Sequence, residues 1–207
     1  MITVIGNLKG GAGKSTVAFN MGIWLSMAGE SVVAYDLDPQ MTLTDVITVR
    51  NEEGFLPSFP VYLPDKQLTQ KLQSHSGEVL VDVGSANLEG MRAALSLADR
   101  VIIPVPPSQA DIWSTQRFLR IIEEATDGSN TVEVLGFINR ADTHHAIRES
   151  DEAAEALSVM PGIELIKKRL SQRTSFRRSF SEGLAVFELE PRGKASIEFL
   201  ALAEHLY

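Results

Sequence analysis

An apolar run from Ile2 to Ile5 leads directly into a segment rich in glycine and lysine, which is followed by apolar residues at helical spacing. A buried strand, a glycine-rich turn and a helix, in this order, form a junction that binds phosphate groups in parallel α/β sheets. Successive backbone N–H groups of such a loop surround phosphate oxygens, together with the positive end of the next helix. The N-terminal segment therefore predicts a chain that binds a nucleoside triphosphate.

The loop supplies three kinds of group. Its glycines bring the backbone close to phosphate without an intervening Cβ, the Lys14 ammonium is expected over the β- and γ-phosphates, and the Ser15 hydroxyl is expected to ligate Mg²⁺. The predicted nucleotide-binding residues of the loop are Gly10, Gly11, Ala12, Gly13, Lys14, Ser15 and Thr16. The alternative is a plain glycine-rich turn, but three glycines and two lysines within eight residues favour phosphate binding.

One departure from the usual phosphate loop is informative. The common pattern places glycine six positions before the phosphate lysine, whereas Leu8 stands there and an additional lysine, Lys9, precedes the glycines. This KGGxGK[ST] form resembles the deviant Walker A box of the ParA/MinD family of ATPases. The resemblance implies that Lys9 reaches across an ATP-bound dimer to the partner's nucleotide, and that Lys9, Lys14 and Asp38 take part in catalysis.

Acidic residues follow two of the predicted strands, at the end of the sheet where ligands bind. Asp36 and Asp38 follow the second strand, and Asp82 ends an apolar run with the form of a Walker B strand. The first segment resembles the DxDPQ sequence of the ParA family, which implies that Asp36 orients a metal-bound water and Asp38 positions the attacking water. The predicted Mg²⁺ site consists of Ser15, Asp36 and Asp82, because carboxylates near a triphosphate need a cation between them. An Asp-Pro turn with ordinary capping is the alternative for the first segment.

A further segment, Phe137–Arg140, resembles the Asn-Arg segment of the same family. The resemblance implies that the Asn139 amide reads the adenine edge, and Arg140 belongs to the same predicted nucleotide-binding set. An amide offers a donor and an acceptor, which suits adenine. The Asn-Lys-x-Asp pattern of GTPases is absent from this segment, so ATP is the expected nucleotide.

Apolar strands alternate with amphipathic helices, which predicts an α/β fold with a mostly parallel, twisted sheet and helices on both faces. Strands are expected at 2–5, 31–35, 78–83, 100–104, 132–138 and 163–166. Helices are expected at 16–28, 41–49, 65–74, 88–98, 109–125, 149–158, 173–182 and 194–206. Residues 51–64 contain three prolines and are expected to be irregular. Because no linker interrupts the pattern, one P-loop NTPase domain is expected over residues 1–207.

Composition excludes several kinds of site. The 207 residues contain no cysteine, which excludes disulfides, Cys-ligated zinc and Cys-ligated iron–sulfur clusters. The formal net charge of −8 opposes general attraction to nucleic acid, so any such binding needs a local basic patch. Neither a signal peptide nor a stretch of transmembrane length is recognisable, so a cytoplasmic protein is expected.

One segment, Ile166–Ser179, is basic and contains no acidic residue. It resembles the place where ParA proteins bind DNA without sequence preference. The predicted DNA-binding residues are Lys167, Lys168, Arg169, Arg173, Arg177 and Arg178. If a helix begins near Leu170, Arg173 and Arg177 share one face at i,i+4 spacing. The alternative is a solvated basic helix that pairs with acidic residues elsewhere in the chain.

The resemblance covers essentially the whole chain and is to the small ParA ATPases, which partition plasmids or space carboxysomes and other cargo. It implies a Mg²⁺-dependent ATPase that forms a homodimer with ATP and binds nucleoid DNA. It also implies an adaptor that stimulates hydrolysis, either a ParB-like or centromere-binding protein or another cargo-bound protein. The sequence does not identify the cargo.

Two other functions share this fold. A MinD-like ATPase that cycles on membranes needs a basic amphipathic C-terminal helix. The tail from Ala195 to Tyr207 has two glutamates and neither Lys nor Arg, so it is expected to pack as a terminal helix, without a membrane partner. A metabolic ATP-dependent ligase or kinase is the other alternative, and such enzymes generally lack a lysine at the Lys9 position.

Overall fold

The computed structural model describes residues 1–128, 132–144 and 148–207. These residues form a seven-stranded sheet in the order β3-β2-β4-β1-β5-β6-β7, and every strand pair in it is parallel. The strands are β1 (Ile2–Gly6), β2 (Val32–Asp36), β3 (Val61–Tyr62), β4 (Glu78–Val83), β5 (Arg100–Val105), β6 (Glu133–Ala141) and β7 (Glu164–Ser171). The helices are α1 (Lys14–Met27), α2 (Thr42–Glu52), α3 (Leu68–Ser74), α4 (Leu88–Leu95), α5 (Gln109–Ala125), α6 (Glu149–Ser158), α7 (Thr174–Ser181), α8 (Val186–Leu189) and α9 (Lys194–Leu206).

The two faces of the sheet are covered by separate apolar clusters. Neighbouring residues of a strand point to opposite faces, so Val4 belongs to one cluster and Ile5 to the other. In β4, Leu80 lies in the cluster of Ile5, which also contains Phe199 of α9, whereas Val81 lies in the cluster of Val4. A parallel sheet whose central strands are buried on both faces needs helices on both faces. The predicted fold class is confirmed.

Two short elements escaped prediction. The predicted irregular segment 51–64 contains β3, whose two residues extend the sheet beyond β2. The four-residue helix α8 was not predicted at all. Neither element is long enough for an apolar period to repeat, so the pattern that predicts longer elements carries no signal for them.

β7 is longer than predicted because of an irregularity in its middle. Phe137 of β6 pairs with Ile166, but Asn139 pairs with Leu170, so β7 carries extra residues between these two pairs. Lys167 and Lys168 lie in this interval, and both are exposed. Two consecutive exposed residues break the alternation of buried and exposed positions that a strand normally shows. The sequence pattern therefore ended the strand at residue 166, whereas it continues to residue 171.

The C-terminal helix packs as predicted. Ala195, Phe199, Leu202 and Leu206 of α9 are buried in the same apolar cluster as Ile5. None of the helices in the described part of the chain combines the length and the apolar character needed to cross a bilayer.

A buried arginine ties α2 to the C-terminal part of the chain. The Arg50 side chain is fully buried, and its guanidinium donates two hydrogen bonds of 2.8 Å to the Glu188 carboxylate. It also donates one of 2.9 Å to the Gly183 carbonyl. Such a bidentate pair fixes both partners in direction as well as distance. The contact holds α2, which carries part of the site described below.

Candidate nucleotide-binding site

The phosphate loop lies between β1 and α1, at the carboxyl edge of the sheet. Gly11 and Gly13 have φ values of 74° and 92°, in the left-handed region that favours glycine. A Cβ at Gly13 would lie 2.3 Å from the Asn139 Nδ2, so packing also requires that glycine. A Cβ at Gly10 would meet nothing within 4 Å. Packing therefore does not explain Gly10, and the open space beside its backbone would admit a ligand.

The two loop lysines have different environments. Lys14 begins α1 and is buried, and its ammonium donates a hydrogen bond of 3.4 Å to the Lys9 carbonyl. Lys9 lies at the surface, with 45% of its side chain exposed, and its ammonium is 2.9 Å from the Asp111 carboxylate of α5. Lys14 thus lies inside the loop, and its predicted place over the β- and γ-phosphates stays a prediction. The predicted reach of Lys9 to a second subunit concerns a dimer and stays a prediction.

Asn7 is a site residue that the sequence reasoning missed. Its buried amide donates to the Pro104 carbonyl at 2.9 Å, and its side-chain oxygen accepts from the Lys9 backbone N–H at 2.9 Å and from the Ser114 hydroxyl at 3.2 Å. Asn7 therefore fixes the start of the loop to β5 and α5. A polar residue directly after a buried strand was the available signal.

Asp36 and Asp82 lie side by side on neighbouring strands. They are register partners in the pairing of β2 with β4, and both are fully buried. Asp36 accepts hydrogen bonds from the backbone N–H and the hydroxyl of Thr44, at 2.9 and 3.0 Å. Neither carboxyl oxygen of Asp82 accepts a hydrogen bond from the described residues. The sheet thus brings together two of the predicted metal ligands, and one of them lacks a hydrogen-bond donor.

The environment of Asp82 disfavours its ionised form. Burial raises the pKa of the Asp82 carboxyl to about 7; the nearby charges of Asp36 and Asp38 add to the rise, and Ser15 and Lys14 oppose it. Ser15 lies close enough to influence the carboxyl without the geometry of a hydrogen bond. Burial also raises the pKa of Asp36, against the hydrogen bonds from Thr44. A cation placed here would favour both ionised forms.

These donors fit Mg²⁺ shared with a nucleotide. Within the described ranges, no group of three or more acidic or histidine side chains could hold a metal alone. Mg²⁺ is commonly bound by one or two carboxylates together with substrate phosphates and water. The adjacent carboxylates of Asp36 and Asp82, with the Ser15 hydroxyl at the start of α1, meet that requirement.

Replacing Asp82 by asparagine is expected to stabilise the nucleotide-free chain more at pH 8 than at pH 5. The folded-state pKa of about 7 lies above the ordinary value of 3.8, so the folded chain binds more protons in this interval. The contribution of Asp82 to stability therefore falls as the pH rises from about 4 to 7. We expect the melting temperature of Asp82→Asn, relative to the unaltered chain, to rise by about 5–10 °C between pH 5 and pH 8.

Thermal unfolding followed by circular dichroism at the two pH values checks this prediction. Asp45→Asn is the control, since Asp45 is exposed on α2. A melting-temperature difference for Asp82→Asn that is the same at both pH values would contradict the assigned pKa.

Asp38 lies against the end of β4. It is half-buried, and its carboxylate accepts a hydrogen bond of 3.0 Å from the Gln40 backbone N–H. A Cβ at Gly84 would lie 2.2 Å from the Asp38 Oδ2. The glycine that follows the Walker B strand therefore leaves space for this carboxylate beside the two buried ones.

Asn139 holds the phosphate loop. Its amide nitrogen donates to the Ala12 carbonyl at 2.7 Å, so the predicted donor toward adenine is engaged by the loop itself. Arg140 has a φ of 55°, at a register shift in the pairing of β6 with β7. Its guanidinium lies 4.0 Å from the position of a Cβ on Gly11. A left-handed backbone is rare for such a residue and is often found at functional sites.

A cleft of about 190 Å³ lies beside the loop. One wall consists of the loop and the end of β6, including Gly13, Asn139 and Arg140. The opposite wall comes from the end of β7 and from α7, including Phe176 and Arg177. An apolar ring surface with a few polar groups is typical of small-molecule sites. Its place beside the phosphate loop suits a nucleotide base.

The predicted basic helix is divided between two elements. The helix expected at 173–182 is present as α7, which begins at Thr174. Because β7 continues to Ser171, no helix begins near Leu170, so Arg173 and Arg177 do not share a helix face. Arg173 precedes the helix and pairs with Glu198 at 2.5 Å. The physical reason is the extended pairing of β7 with β6 up to Ser171.

The six predicted DNA-binding residues fall into two groups. Three form ion pairs: Arg169 with Asp151, Arg173 with Glu198, and Arg178 with Glu182 and Glu190. The other three, Lys167, Lys168 and Arg177, are exposed and form no ion pair with the described residues. Three of the six side chains thus fit the alternative, in which the basic segment pairs with acidic residues elsewhere in the chain.

The chain is similar to known proteins over nearly its whole length. Residues 3–186 match the family model of the CobQ/CobB/MinD/ParA nucleotide binding domain. Maintenance of carboxysome distribution protein A from Halothiobacillus neapolitanus is 26% identical over 199 residues, which cover 94% of this chain and 90% of that protein. Protein ParA from Rhizobium radiobacter is 29% identical over 192 residues, which cover 88% of this chain and 83% of that protein.

Solved structures match the fold. Apo McdA from Cyanothece superposes with a TM-score of 0.80 at 20% identity, over 99% of this chain and 98% of that one. The Cyanothece McdA(D38A)–ATP complex superposes with a TM-score of 0.78 at 19% identity, over 99% and 95% of the two chains.

Proposed function

The chain belongs to the CobQ/CobB/MinD/ParA family of nucleotide-binding domains, and from this premise we propose that it is an ATPase switch of the ParA type. In this proposal ATP and Mg²⁺ join two copies into a dimer, and the dimer binds nucleoid DNA without sequence preference. A cargo-bound adaptor then stimulates hydrolysis, which separates the copies. The observation that carries the proposal is the pair of loop lysines, one buried at the start of α1 and one exposed beside it.

The chemistry is phosphoryl transfer to water. Backbone N–H groups of the loop and the Lys14 ammonium would hold the triphosphate and offset its charge. Ser15, Asp36 and Asp82 would hold Mg²⁺, which supplies further neutralisation of phosphate charge when bound. Asp38 would position the attacking water, since its carboxylate lies beside the two metal ligands at the same edge of the sheet. The remaining positive charge would come from the partner subunit's Lys9.

Base recognition would take place in the cleft between the loop and α7. The Asn139 amide nitrogen is bound to Ala12, so the side-chain carbonyl is the group left to meet the adenine amino group. Phe176 lines the opposite wall and offers a ring surface to the base. Because Asn139 contacts both the loop and the cleft, it would align the base with the phosphates.

Dimerisation in response to ATP tests the first half of the proposal. Sedimentation velocity would measure the mass of the chain without nucleotide, with Mg²⁺–ADP, and with Mg²⁺ and a slowly hydrolysed ATP analogue. We expect a dimer only in the third condition, because ADP lacks the γ-phosphate that the partner's Lys9 would contact. A monomer in all three conditions would reject the switch.

DNA binding is assigned to the basic residues of the 166–179 segment that form no ion pair within the described part of the chain. Lys167 and Lys168 project from the interval of β7 that lacks regular pairing, and Arg177 lies on α7. Two copies of the segment in a dimer double the number of phosphate contacts, so DNA affinity should rise when the dimer forms. The ion pairs of Arg169, Arg173 and Arg178 make these three residues weaker candidates.

Charge reversal at Lys167 and Lys168 is expected to flatten the salt dependence of DNA binding. Four lysines are lost per dimer, and each phosphate contact contributes about 0.9 to the slope of log affinity against log salt, so the slope should fall by up to about 3.6. Fluorescence anisotropy with the ATP analogue measures it. The control is Lys66→Glu with Arg120→Glu, which changes the net charge equally at other exposed positions. An unchanged slope for the Lys167/Lys168 variant would remove these residues from the DNA surface.

The relatives support a proposed class of cargo and of adaptor. One relative is a carboxysome distribution protein and another is a ParA protein. Within the proposal, the cargo is therefore a plasmid, a chromosome or a carboxysome-like assembly, and the adaptor is a ParB-like, centromere-binding or equivalent protein on its surface. The dimer would reside on the nucleoid in the cytoplasm until the adaptor triggers hydrolysis.

A further inference from the structure

Asp111 is a buried acid with an incomplete set of partners. It lies in the first turn of α5, and its side chain is 3% exposed. The Oδ2 accepts hydrogen bonds from the Lys9 ammonium, at 2.9 Å, and from the Ser108 hydroxyl. The Oδ1 accepts none from the described residues. Within the described part of the chain, Lys9 is the residue that forms an ion pair with it.

We infer that Asp111 is the positioning residue of Lys9: it holds the lysine within its own chain and sets the free energy needed to move Lys9 to the partner's nucleotide. This inference rests on the proposed function. A buried carboxylate that loses its cation keeps the unfavourable desolvation of a charge without the compensating pair. Movement of Lys9 toward a second subunit therefore leaves Asp111 with the Ser108 hydroxyl.

The consequence is a threshold for dimer formation. Without a γ-phosphate to receive it, Lys9 is more stable on Asp111 than extended toward another subunit. With ATP in the partner, the new contact must exceed the loss at Asp111. The ion pair thus makes dimerisation weaker than the contacts across the interface alone would make it, and more dependent on the triphosphate.

A purely structural role predicts a different behaviour. A carboxylate in the first turn of a helix interacts favourably with the helix dipole, and the Ser108 side chain accepts from the Asp111 backbone N–H as the N-cap of α5. If Asp111 served α5 alone, its replacement would lower the melting temperature, and its effect on dimerisation would not depend on Lys9.

The test is sedimentation velocity of Asp111→Asn with Mg²⁺ and a slowly hydrolysed ATP analogue. Asparagine keeps the shape and an oxygen for the Ser108 hydroxyl but does not bind Lys9 as an ion. We expect the dimer dissociation constant to fall about tenfold relative to the unaltered chain. In a Lys9→Ala background the same change should give no tighter dimer, because the two residues act as one unit.

Ser108→Ala provides a second variant with the opposite expected sign. Loss of the serine hydroxyl leaves Asp111 more dependent on Lys9, so the dimer should become about threefold weaker. If Asp111→Asn does not fold, the dimer dissociation constant of Ser108→Ala still tests the role of Asp111.

The possible failures are distinguishable. An unaltered chain that stays monomeric with the analogue overturns the proposed function and this inference with it. An unaltered chain that dimerises, combined with an Asp111→Asn dimer that is equally strong or weaker, overturns the inference alone. A tighter Asp111→Asn dimer that persists in the Lys9→Ala background also overturns it.

Discussion

Replacing Lys14 with alanine is expected to weaken ATP binding by about 100-fold. The Lys14 side chain is buried at the start of α1, where its ammonium faces the interior of the loop. A charged hydrogen bond that forms away from bulk water contributes about 1.5–3 kcal/mol, and one lysine can reach oxygens of two phosphates. The other loop lysine, Lys9, lies at the surface with its ammonium 2.9 Å from Asp111, so we do not expect it to replace Lys14.

Isothermal titration calorimetry with Mg²⁺ and a slowly hydrolysed ATP analogue measures this change. Lys66→Ala is the matched control, since Lys66 is exposed in the segment before α3 and should leave the affinity unchanged. A Lys14→Ala variant that binds the analogue within about twofold of the unaltered chain would refute the assignment of the phosphate loop.

Replacing Asp38 with alanine is expected to lower stimulated ATP hydrolysis by about 100-fold or more while leaving ATP binding intact. A group that orients or activates the attacking water commonly contributes a factor of about 10² to 10⁴. Asp38 is half-buried beside the end of β4, and its carboxylate accepts from the Gln40 backbone N–H rather than from a loop residue among those that the structure describes. The variant should therefore accumulate as an ATP-bound dimer. Phosphate release and sedimentation velocity, measured on the same preparation, report the two properties separately.

Gly84 allows the position of Asp38 to be tested without removing the carboxylate. A Cβ on Gly84 would lie 2.2 Å from the Asp38 Oδ2, so Gly84→Ala must displace this side chain. We expect Gly84→Ala to slow hydrolysis in the same direction as Asp38→Ala, and Asp45→Asn, on the exposed face of α2, to leave it unchanged. Normal turnover by Asp38→Ala would remove Asp38 from the reaction.

Much of the fold could be predicted because its main elements are long and regular. The buried strand Glu78–Val83 and the amphipathic helix Gln109–Ala125 have the predicted bounds, since each has a clear apolar pattern and polar or glycine residues at its ends. Placement of Asp36 and Asp82 together followed from one rule, that the carboxyl ends of parallel strands meet at one edge of the sheet.

The parts of the site that escaped prediction depend on contacts between distant residues. Asp111 follows Lys9 by 102 residues, and only the packing of α5 against the loop brings their side chains to 2.9 Å. The Asn139 amide nitrogen binds the Ala12 carbonyl, 127 residues away, and this contact with the loop was not predicted. The spacing of residues along the chain does not indicate which distant residue a side chain will contact in the fold.

The basic segment shows the same limit in another form. Its composition drew attention to the region, but which of its basic residues form ion pairs depends on the acids that the fold places nearby. Glu198 of α9 forms an ion pair with Arg173, and Asp151 of α6 forms one with Arg169. Lys167 and Lys168 stay exposed because the irregularity in β7 turns both away from the core.

The central claim is that ATP converts this chain into a DNA-binding dimer, and fluorescence anisotropy on a random-sequence DNA duplex tests it most directly. The measurement would be made without nucleotide, with ADP, and with a slowly hydrolysed ATP analogue, each over a series of salt concentrations. We expect tight, salt-sensitive DNA binding only in the presence of the ATP analogue. Absence of binding in all three states, or equal binding in all three, would contradict it.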